Sequence, residues 1–292
     1  MQQISMKSQT TASRSMKDLV FRIFMFAGIG IALGVLATLL ITVVVEGSPR
    51  LSWDLVRNMP SARPARAGIQ SAIMGSLWVV GVTAIISLPL GVAAAVYLEE
   101  FARKDRWYNR LIELNVQNLA AVPSVVFGIL GLAFIKRGAL SLGSTVLTAA
   151  LVLTMLVLPT VVIVSREAIR AVPDSFRQGS LALGATQWQT VLRQVLPNAL
   201  PGIMTGAILS VSRALGESAP LLMLGALTFV TFNPSALDSQ YTVLPIQIFS
   251  YISNAKKEFE PLAAASIVVL LIMLLALNAA AIFLRNKYQK RW

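Results

Sequence analysis

Cysteine and histidine are both absent from this sequence of 292 residues. Disulfides, thiolate chemistry and metal sites built from Cys and His ligands are therefore excluded, and so is a proton relay through histidine. Charge is scarce as well, since 13% of the residues are charged and 56% are hydrophobic. This balance is far from that of soluble proteins and predicts a membrane protein.

Uncharged runs long enough to cross a bilayer recur along the chain. A helix needs about 20 apolar residues to span the hydrocarbon region. Five uncharged runs exceed this length, and a sixth stretch, 201–226, is apolar except for two charges near its middle. The sequence therefore predicts an all-α polytopic membrane protein with six transmembrane helices. The five uncharged runs are residues 23–45, 67–98, 114–135, 138–165 and 261–284.

Basic residues are distributed unevenly between the two predicted sides of the membrane. With the N-terminus inside, the inner segments hold 16 Lys and Arg residues and the outer segments hold 8. This bias follows the positive-inside rule and predicts that both termini are cytoplasmic. The net charge of +12 therefore reflects membrane topology, and we expect no nucleic-acid partner. The exception to the bias is the first outer loop, which carries four arginines, Arg50, Arg57, Arg63 and Arg66.

This topology divides the chain into four predicted parts. Residues 1–18 form a polar, basic cytoplasmic tail, and residues 19–66 hold the first span and its outer loop. Residues 67–285 form a core of five spans that includes a cytoplasmic loop at 171–200. Residues 286–292 form a second cytoplasmic tail.

The stretch 201–226 carries the most informative residues. If it is one helix, Arg213 lies roughly 18 Å from its start, because a helix rises about 1.5 Å per residue. A charge at this depth is costly and usually faces a bundle interior or a water-filled path. Glu217 follows four residues later, on the same face. The adjacent row from Gly202 to Ser218 is small at every fourth position, which favours close helix packing. We therefore predict that this helix lines a translocation path.

Two other places in the predicted spans admit a functional interpretation beside an ordinary one. Pro123 removes a backbone donor within the third span. The backbone groups left unpaired are either covered by neighbouring helices, as in an ordinary proline kink, or face a cavity. In the second case, the amides after the break and the Ser124 hydroxyl would face an anionic substrate. Arg166 and Arg170, at the inner end of the fourth span, are candidates for an inner gate or are plain cytoplasmic anchors.

The cytoplasmic loop after the fourth span has the signals of a folded unit. Capping-box patterns occur at 175–178 and 186–189, and Gly184 lies between them, where a helix-ending left-handed residue fits. We predict two short helices joined by a tight turn and closed by Pro197 and Pro201. A membrane-protein loop with this much local structure is typical of a docking surface.

The same loop resembles the cytoplasmic loop of ABC-importer permeases, whose pattern is EAA, three residues, G, nine residues, I, one residue, LP. Gly184 and the Leu-Pro pair at 196–197 hold their places, whereas residues 178–180 read QGS and Gln194 replaces the isoleucine. In that family the loop binds a cleft of a separate ATPase. The resemblance assigns this contact to Ser175, Gln178, Gly179, Ser180, Leu183, Gly184 and Ala185.

Several stretches are similar to the phosphate-specific permeases of this family, in particular to the subunit usually lettered A. They are PLGVAAAVYLEEFA at 89–102, LAAVPSVVFGILGLAF at 119–134, ALGATQWQTVLRQVLPNALPGI at 182–203 and SRALGESAPLL at 212–222. The resemblance implies the type I importer fold and the bacterial inner membrane. It also implies four component types: this chain, a homologous second permease, a dimeric ATPase and an extracytoplasmic phosphate-binding protein.

The sequence has no motor of its own. The pattern G-x-x-x-x-G-K-[ST] and even the dipeptide Gly-Lys do not occur, so there is no phosphate-cradling P-loop. We expect a non-catalytic pore subunit that binds no cofactor or metal, while a partner ATPase uses ATP and Mg. In this pore Arg213 would contact phosphate through its planar fork and Glu217 would orient it, with Ser218 and Ser124 along the path.

Other functions remain open at this point. An ABC permease for another oxyanion, such as molybdate or sulfate, would use the buried arginine in the same way. A secondary transporter driven by an ion gradient would permit six spans and one buried ion pair, but it would not need a docking loop. A membrane scaffold without transport activity would have no use for Arg213.

Overall fold

The computed structural model describes residues 11–103, 106–138, 140–226 and 229–288. Within these ranges the protein is helical, and the only β pairing is an isolated bridge between Thr145 and Gln240. The predicted tails lie outside the described residues before residue 11 and after residue 288. The first helix already begins at Thr11, within the predicted tail 1–18.

Twelve α-helices follow one another along the described chain. Three of them, α3, α5 and α8, continue directly into π-helical segments, at Tyr97–Phe101, Gly131–Lys136 and Val191–Val195. The α-helices are α1 (Thr11–Gly47), α2 (Trp53–Arg57), α3 (Gln70–Val96), α4 (Trp107–Ala120), α5 (Ser124–Leu130), α6 (Val146–Arg170), α7 (Asp174–Ala182), α8 (Gln187–Thr190), α9 (Leu196–Gly216), α10 (Ala219–Met223), α11 (Leu244–Ile252) and α12 (Glu260–Tyr288).

Five described helices are long and apolar enough to cross a membrane, and the bent pair α4–α5 makes a sixth when it is counted as one broken span. The two parts of that pair meet at an angle of 104°. Pro123 lies at the bend and caps the start of α5, so the predicted break at this proline is confirmed. The angle is far larger than an ordinary kink, because the chain turns nearly at right angles. The prediction of an all-α protein with six spans is confirmed.

The stretch 201–226 is not one continuous helix, and this prediction was wrong. The helix α9 ends at Gly216, Glu217 has an extended backbone with φ −80° and ψ 123°, and α10 begins at Ala219. The cause is Pro220, which has no N–H to donate to the carbonyl of Gly216 and whose ring would clash with that carbonyl. Arg213 and Glu217 therefore do not share one helix face.

The prolines after the cytoplasmic loop also act differently from the prediction. A continuous helix runs from Gln187 through the π segment to Gly216, so Pro197 and Pro201 lie inside it and do not close a short helix. Pro197 cannot donate a hydrogen bond to the previous turn. The wider turn of the π segment ends at Val195, immediately before the place where the donor is missing.

The core is formed by α3, α6 and α9, with α5, α10 and α11 packed around one end. α11 has nine residues, of which Leu244, Ile246 and Tyr251 are buried, so the uncharged stretch before α12 packs against the bundle and does not cross the membrane. α1 packs against α12 near its end, where a Cβ on Gly47 would lie 2.7 Å from the backbone nitrogen of Ala265. The remaining apolar surface of α1 is exposed.

One close approach in this core yields a stability test. A Cβ on Gly75 of α3 would lie 1.9 Å from the carbonyl oxygen of Thr242, whereas a Cβ on Gly81 of the same helix meets no described heavy atom within 4 Å. Gly75→Ala should lower the free energy of unfolding by about 1–3 kcal/mol, because the backbone must move apart. Gly81→Ala should be neutral or stabilising by up to about 1 kcal/mol. Thermal unfolding of the two detergent-purified variants compares them, and equal loss of stability would contradict this account of the packing.

Candidate functional site

Arg213 lies in the last turn of α9 with its side chain on the surface of the single chain. The neighbouring small row of α9 packs against α6, as predicted. A Cβ on Gly206 would lie 2.3 Å from Cγ1 of Val164, and a Cβ on Gly202 would lie 2.7 Å from Cβ of Ala168. The small residues therefore hold α9 tightly on α6 while Arg213 stays on an uncovered face.

Glu217 and Ser218 occupy the break between α9 and α10, and both are half-buried. None of the ion pairs found among the described residues includes Arg213 or Glu217. The expected Arg213–Glu217 pair is therefore not formed in this conformation. The extended backbone at Glu217 is the reason, because it takes the carboxylate off the helical register that would have placed it one turn above the guanidinium.

Ser124 is the first residue of α5 and is half-buried. α5 packs closely on α10, since a Cβ on Gly128 would lie 2.7 Å from Cα of Pro220. The helices that begin after the two breaks in the chain therefore support each other. The structure thus brings the surroundings of Ser124 and of Ser218 to one region, although no hydrogen bond joins these two serines in the described structure.

Arg166 belongs to a cluster of charges at the opposite end of α6. Its side chain is 9% exposed and forms ion pairs with Glu99 Oε2 at 3.4 Å and with Glu113 Oε1 at 3.0 Å. Arg170, one turn further along, contacts the same oxygen of Glu99 at 3.1 Å and Glu167 at 3.3 Å. The two arginines therefore tie α6 to the π segment after α3 and to α4.

A cavity of about 360 Å³ opens beside this cluster. Arg166, Arg170 and Glu113 line it together with Asn109 and Arg110 of α4. Two buried polar atoms there, Nε of Arg166 and Oδ1 of Asn109, have no hydrogen-bond partner in the described structure. The candidate inner gate is thus an ion-paired contact between α4 and α6 beside a polar cavity.

Glu99 and Glu113 are the partners that the sequence analysis missed. Glu99 directly follows one uncharged run, and Glu113 directly precedes the next. A carboxylate at such a position needs a cation or water beside it. The arginines at the inner end of the fourth span were the available cations, so the signal was present in the charge pattern.

The predicted docking loop forms a hook made of α7, a turn and α8, residues 174–190. Thr186 Oγ1 accepts a hydrogen bond from Gln189 N at 3.3 Å, and Gln189 Oε1 accepts one from Thr186 N at 2.9 Å, so the second capping box is confirmed. Gly184 has φ +84° and ends α7 as predicted. The first capping box is wrong, because α7 begins at Asp174 after Pro173, which places Ser175 inside the first turn.

A groove of about 420 Å³ crosses the hook. Leu183 at its tip is 90% exposed, and Trp188 is 57% exposed. Apolar side chains held out on an otherwise polar hook are typical of a binding surface. Gln178 and Gly184 are exposed on the hook outside this groove. The predicted docking residues that line the groove are Ser175, Gly179, Ser180, Leu183 and Ala185.

Residues 87–291, which include the hook and all spans from the second half of α3 onward, match the family described as binding-protein-dependent transport system inner membrane component. The chain belongs to this family. It is an ABC-importer permease subunit, and the hook is the part of the chain that resembles the cytoplasmic loop of this family.

Curated relatives extend the similarity of this permease to most of the chain. The probable ABC transporter permease protein YqgI of Bacillus subtilis is 31% identical over 278 residues, covering 90% of this chain and 94% of that protein. The phosphate transport system permease protein PstA 1 of Mycobacterium tuberculosis (strain CDC 1551 / Oshkosh) is 31% identical over 280 residues, covering 94% and 90%. PstA of Haemophilus influenzae is 30% identical over 257 residues, covering 88% of each chain. The predicted resemblance to permeases of phosphate importers is confirmed.

Solved structures support the predicted type I permease fold. A chain of the MetNI methionine ABC transporter, in an inward-facing conformation, matches with a TM-score of 0.61 and 19% identity, covering 82% of this permease and 97% of that chain. A chain of a bacterial alginate ABC transporter, solved with an alginate-bound periplasmic protein, matches with a TM-score of 0.68 and 16% identity, covering 92% and 94%. At these identities the similarity shows the fold alone.

The charge cluster allows a test that separates its buried arginine from its exposed one. Arg166→Met removes a guanidinium that is 9% exposed and leaves two carboxylates without it, whereas Arg170 is 49% exposed. We expect Arg166→Met to lower the free energy of unfolding by about 3 kcal/mol. Arg170→Met, the matched control, should cost less than about 1 kcal/mol. Thermal unfolding of the purified permease measures both, and a larger loss for the control would contradict the burial argument.

Proposed function

We propose that this permease forms half of the pore of an ATP-driven importer of inorganic phosphate in the bacterial inner membrane. A homologous second permease would supply the other half, an ATPase dimer would bind the hook, and an extracytoplasmic phosphate-binding protein would deliver the substrate. The observation that carries the proposal is the position of Arg213, exposed on an apolar span beside a helix break. The phosphate transport permeases among the relatives support phosphate as the anion.

The exposure of Arg213 on the single chain argues for a shared pore. Arg213 lies in the last turn of an apolar span. A guanidinium that faces lipid there is unfavourable, so another protein surface or water must cover it. The second permease is the natural cover, and the space between the two chains would be the path. Arginine suits a phosphate group there because its planar fork donates parallel hydrogen bonds and keeps its charge at all physiological pH values.

The residues around the break would complete the path on this chain. Ser218 and Ser124 are half-buried hydroxyls at the starts of α10 and α5, which pack together. A hydroxyl donates to phosphate oxygens without adding charge. Glu217 would accept a hydrogen bond from a protonated phosphate oxygen, and would pair with Arg213 when the path is empty. That pairing requires the break between α9 and α10 to move, since the pair is open in this structure.

Arg166 and Arg170 would act as the inner gate. Their ion pairs with Glu99 and Glu113 hold α6 against the π segment after α3 and against α4. Breaking these pairs would separate the helix ends and open the cavity beside them. A passing phosphate is a competing anion for the same guanidinium groups, which offsets part of the cost of breaking the pairs.

The hook would couple this pore to the ATPase. Because the ATPase acts in the cytoplasm, the hook and both chain termini would lie on that side of the membrane. Its groove and the exposed Leu183 offer an apolar contact for the ATPase surface. ATP and Mg would be bound by the ATPase, and this subunit would be a non-catalytic part of the importer without cofactor or metal.

Two alternatives differ from this proposal in what they predict for transport. A permease for another oxyanion would let sulfate or molybdate compete with phosphate in reconstituted vesicles, because a guanidinium binds any tetrahedral oxyanion. A secondary transporter would stop when an uncoupler collapses the ion gradient, whereas an ATP-driven importer would not. The structured hook favours the ATP-driven system.

Arg213→Gln should reduce phosphate uptake by at least about 30-fold, because a charged hydrogen bond to the anion is worth roughly 2–5 kcal/mol and each ~1.4 kcal/mol is tenfold. Arg213→Lys keeps the charge but not the fork and should retain part of the activity. Uptake is measured in proteoliposomes that contain the complete importer. The control is Arg285→Gln at the inner end of α12, where the arginine donates to Thr205 at 3.1 Å.

Assembly of each variant with its partner subunits is checked by co-purification. The Arg285 control should transport phosphate normally. Normal uptake by an assembled Arg213→Gln importer would show that this arginine only supports the structure, and the proposed path would then be wrong.

A further inference from the structure

Glu100 and Arg177 form an ion pair that joins the hook to the spans. Arg177 Nη2 donates to Glu100 Oε1 at 2.7 Å, and its Nε donates to the same oxygen at 3.1 Å. The side chains are 8% exposed for Glu100 and 19% for Arg177. Two nitrogens of one guanidinium bind one carboxylate in a largely buried place. The two hydrogen bonds therefore fix the relative orientation of the side chains as well as strengthening the pair.

Arg177 also binds the end of α6. Its Nη1 donates to the carbonyl of Val172 at 2.7 Å and its Nη2 to the carbonyl of Ile169 at 3.0 Å. These carbonyls belong to the C-terminal turn of α6 and the residues just after it, where helices leave acceptors without partners and where a cation is favourable. One side chain of the hook therefore holds both the end of α3 and the end of α6.

Glu100 receives a second contact from the other half of the hook. Gln187, the first residue of α8, donates a hydrogen bond from Nε2 to the backbone carbonyl of Glu100. The residues that follow Glu100 and Gln187 are also in contact, since the rings of Phe101 and Trp188 lie 5.9 Å apart. Both helices of the hook thus meet the chain at Glu100, and α8 also contacts Phe101.

The segment that carries these two residues is unusual in its backbone. It is the π segment Tyr97–Phe101, and a second π segment, Val191–Val195, follows α8. Buried Val96, Val191 and Val195 belong to one apolar cluster beneath the charges. π-helical turns are rare and frequently occur at functional sites. Here one π segment carries the residues that contact the hook, and the other directly follows the hook.

We propose that Glu100 and Arg177 are the positioning pair that transmits movement of the hook to α3 and α6, so that ATP hydrolysis is converted into opening of the pore. This inference rests on the proposed function. Glu99, the adjacent residue, binds Arg166 and Arg170 of the candidate gate. A displacement of Arg177 would therefore reach the candidate gate by two routes. One is the peptide bond between Glu100 and Glu99, and the other is the end of α6.

The charge state of Arg177 is suited to a permanent link. Its hydrogen bond with Glu100 raises the pKa of Arg177 above the ordinary value for arginine, while burial acts in the opposite direction to a smaller extent. The guanidinium thus stays charged across the physiological range.

The chain provides a matched control for this pair. Asp174 also binds Arg177, at 3.1 Å, but its side chain is 82% exposed and lies on the same helix of the hook. Loss of this contact leaves the connection between the hook and the spans intact. Glu100→Gln and Asp174→Asn are the same chemical change, a carboxylate to its amide, on the two partners of one arginine.

The test measures phosphate transported per ATP hydrolysed in proteoliposomes with the complete importer. In Glu100→Gln we expect this ratio to fall about tenfold while ATP hydrolysis continues, since a hydrogen bond to a charged group is lost at the link. Arg177→Lys, which keeps the charge but loses the fork, should lower the ratio in the same direction. Asp174→Asn should stay within about twofold of the unmodified importer, as expected for an exposed pair.

The outcomes separate the inference from the proposed function. If the unmodified importer does not transport phosphate, the proposed function is wrong and the link has no transport to serve. If the unmodified importer transports phosphate and Glu100→Gln keeps the normal ratio of phosphate to ATP, the proposed role of the Glu100–Arg177 pair is wrong. Failure of both Glu100→Gln and Arg177→Lys to co-purify with the partner subunits would also overturn it, because the pair would then serve assembly and not transmission.

Discussion

The contacts of two consecutive carboxylates, Glu99 and Glu100, organise one whole end of this molecule. Glu99 binds the arginines of α6, and Glu100 binds Arg177 of the hook. Carboxylates at the end of an apolar span are costly unless cations and hydrogen-bond donors surround them. Satisfying both at once requires α6 and α7 to converge on the end of α3, so the position of the hook follows from the neutralisation of these charges.

The other end depends on a different constraint, which is the hydrogen bonding of the backbone where spans are interrupted. Breaks within a membrane persist only where protein or water covers the freed groups. Here the breaks at Pro123 and Glu217 are followed by α5 and α10, which pack on each other. Arg213 lies beside one of these breaks and is uncovered in the single chain. An interrupted, polar region on an exposed face is what a second subunit would need in order to share a pore.

Prolines explain most of the difference between expectation and structure. Pro123 produced the predicted break, but the prolines at 197 and 201 did not end a helix, and Pro220 ended one that was expected to continue. For two of these prolines the preceding residues give a local cause. A π segment before Pro197 leaves room for the missing donor, whereas Gly216, four residues before Pro220, is itself a weak helix former. Such local compensation depends on neighbouring turns, which a residue-by-residue reading does not weigh.

The apolar runs, the Thr186 cap and Gly184 were enough to predict the class, the number of spans and the folded hook, because these features act through length and local backbone preference. The partners of the charges were decided by tertiary structure alone. Arg166 and Glu99 are 67 residues apart, and Arg177 and Glu100 are 77 apart. Charge pairing across such separations depends on how the spans pack. The sequence shows which residues need a partner, and only the packed helices show which partner each one has.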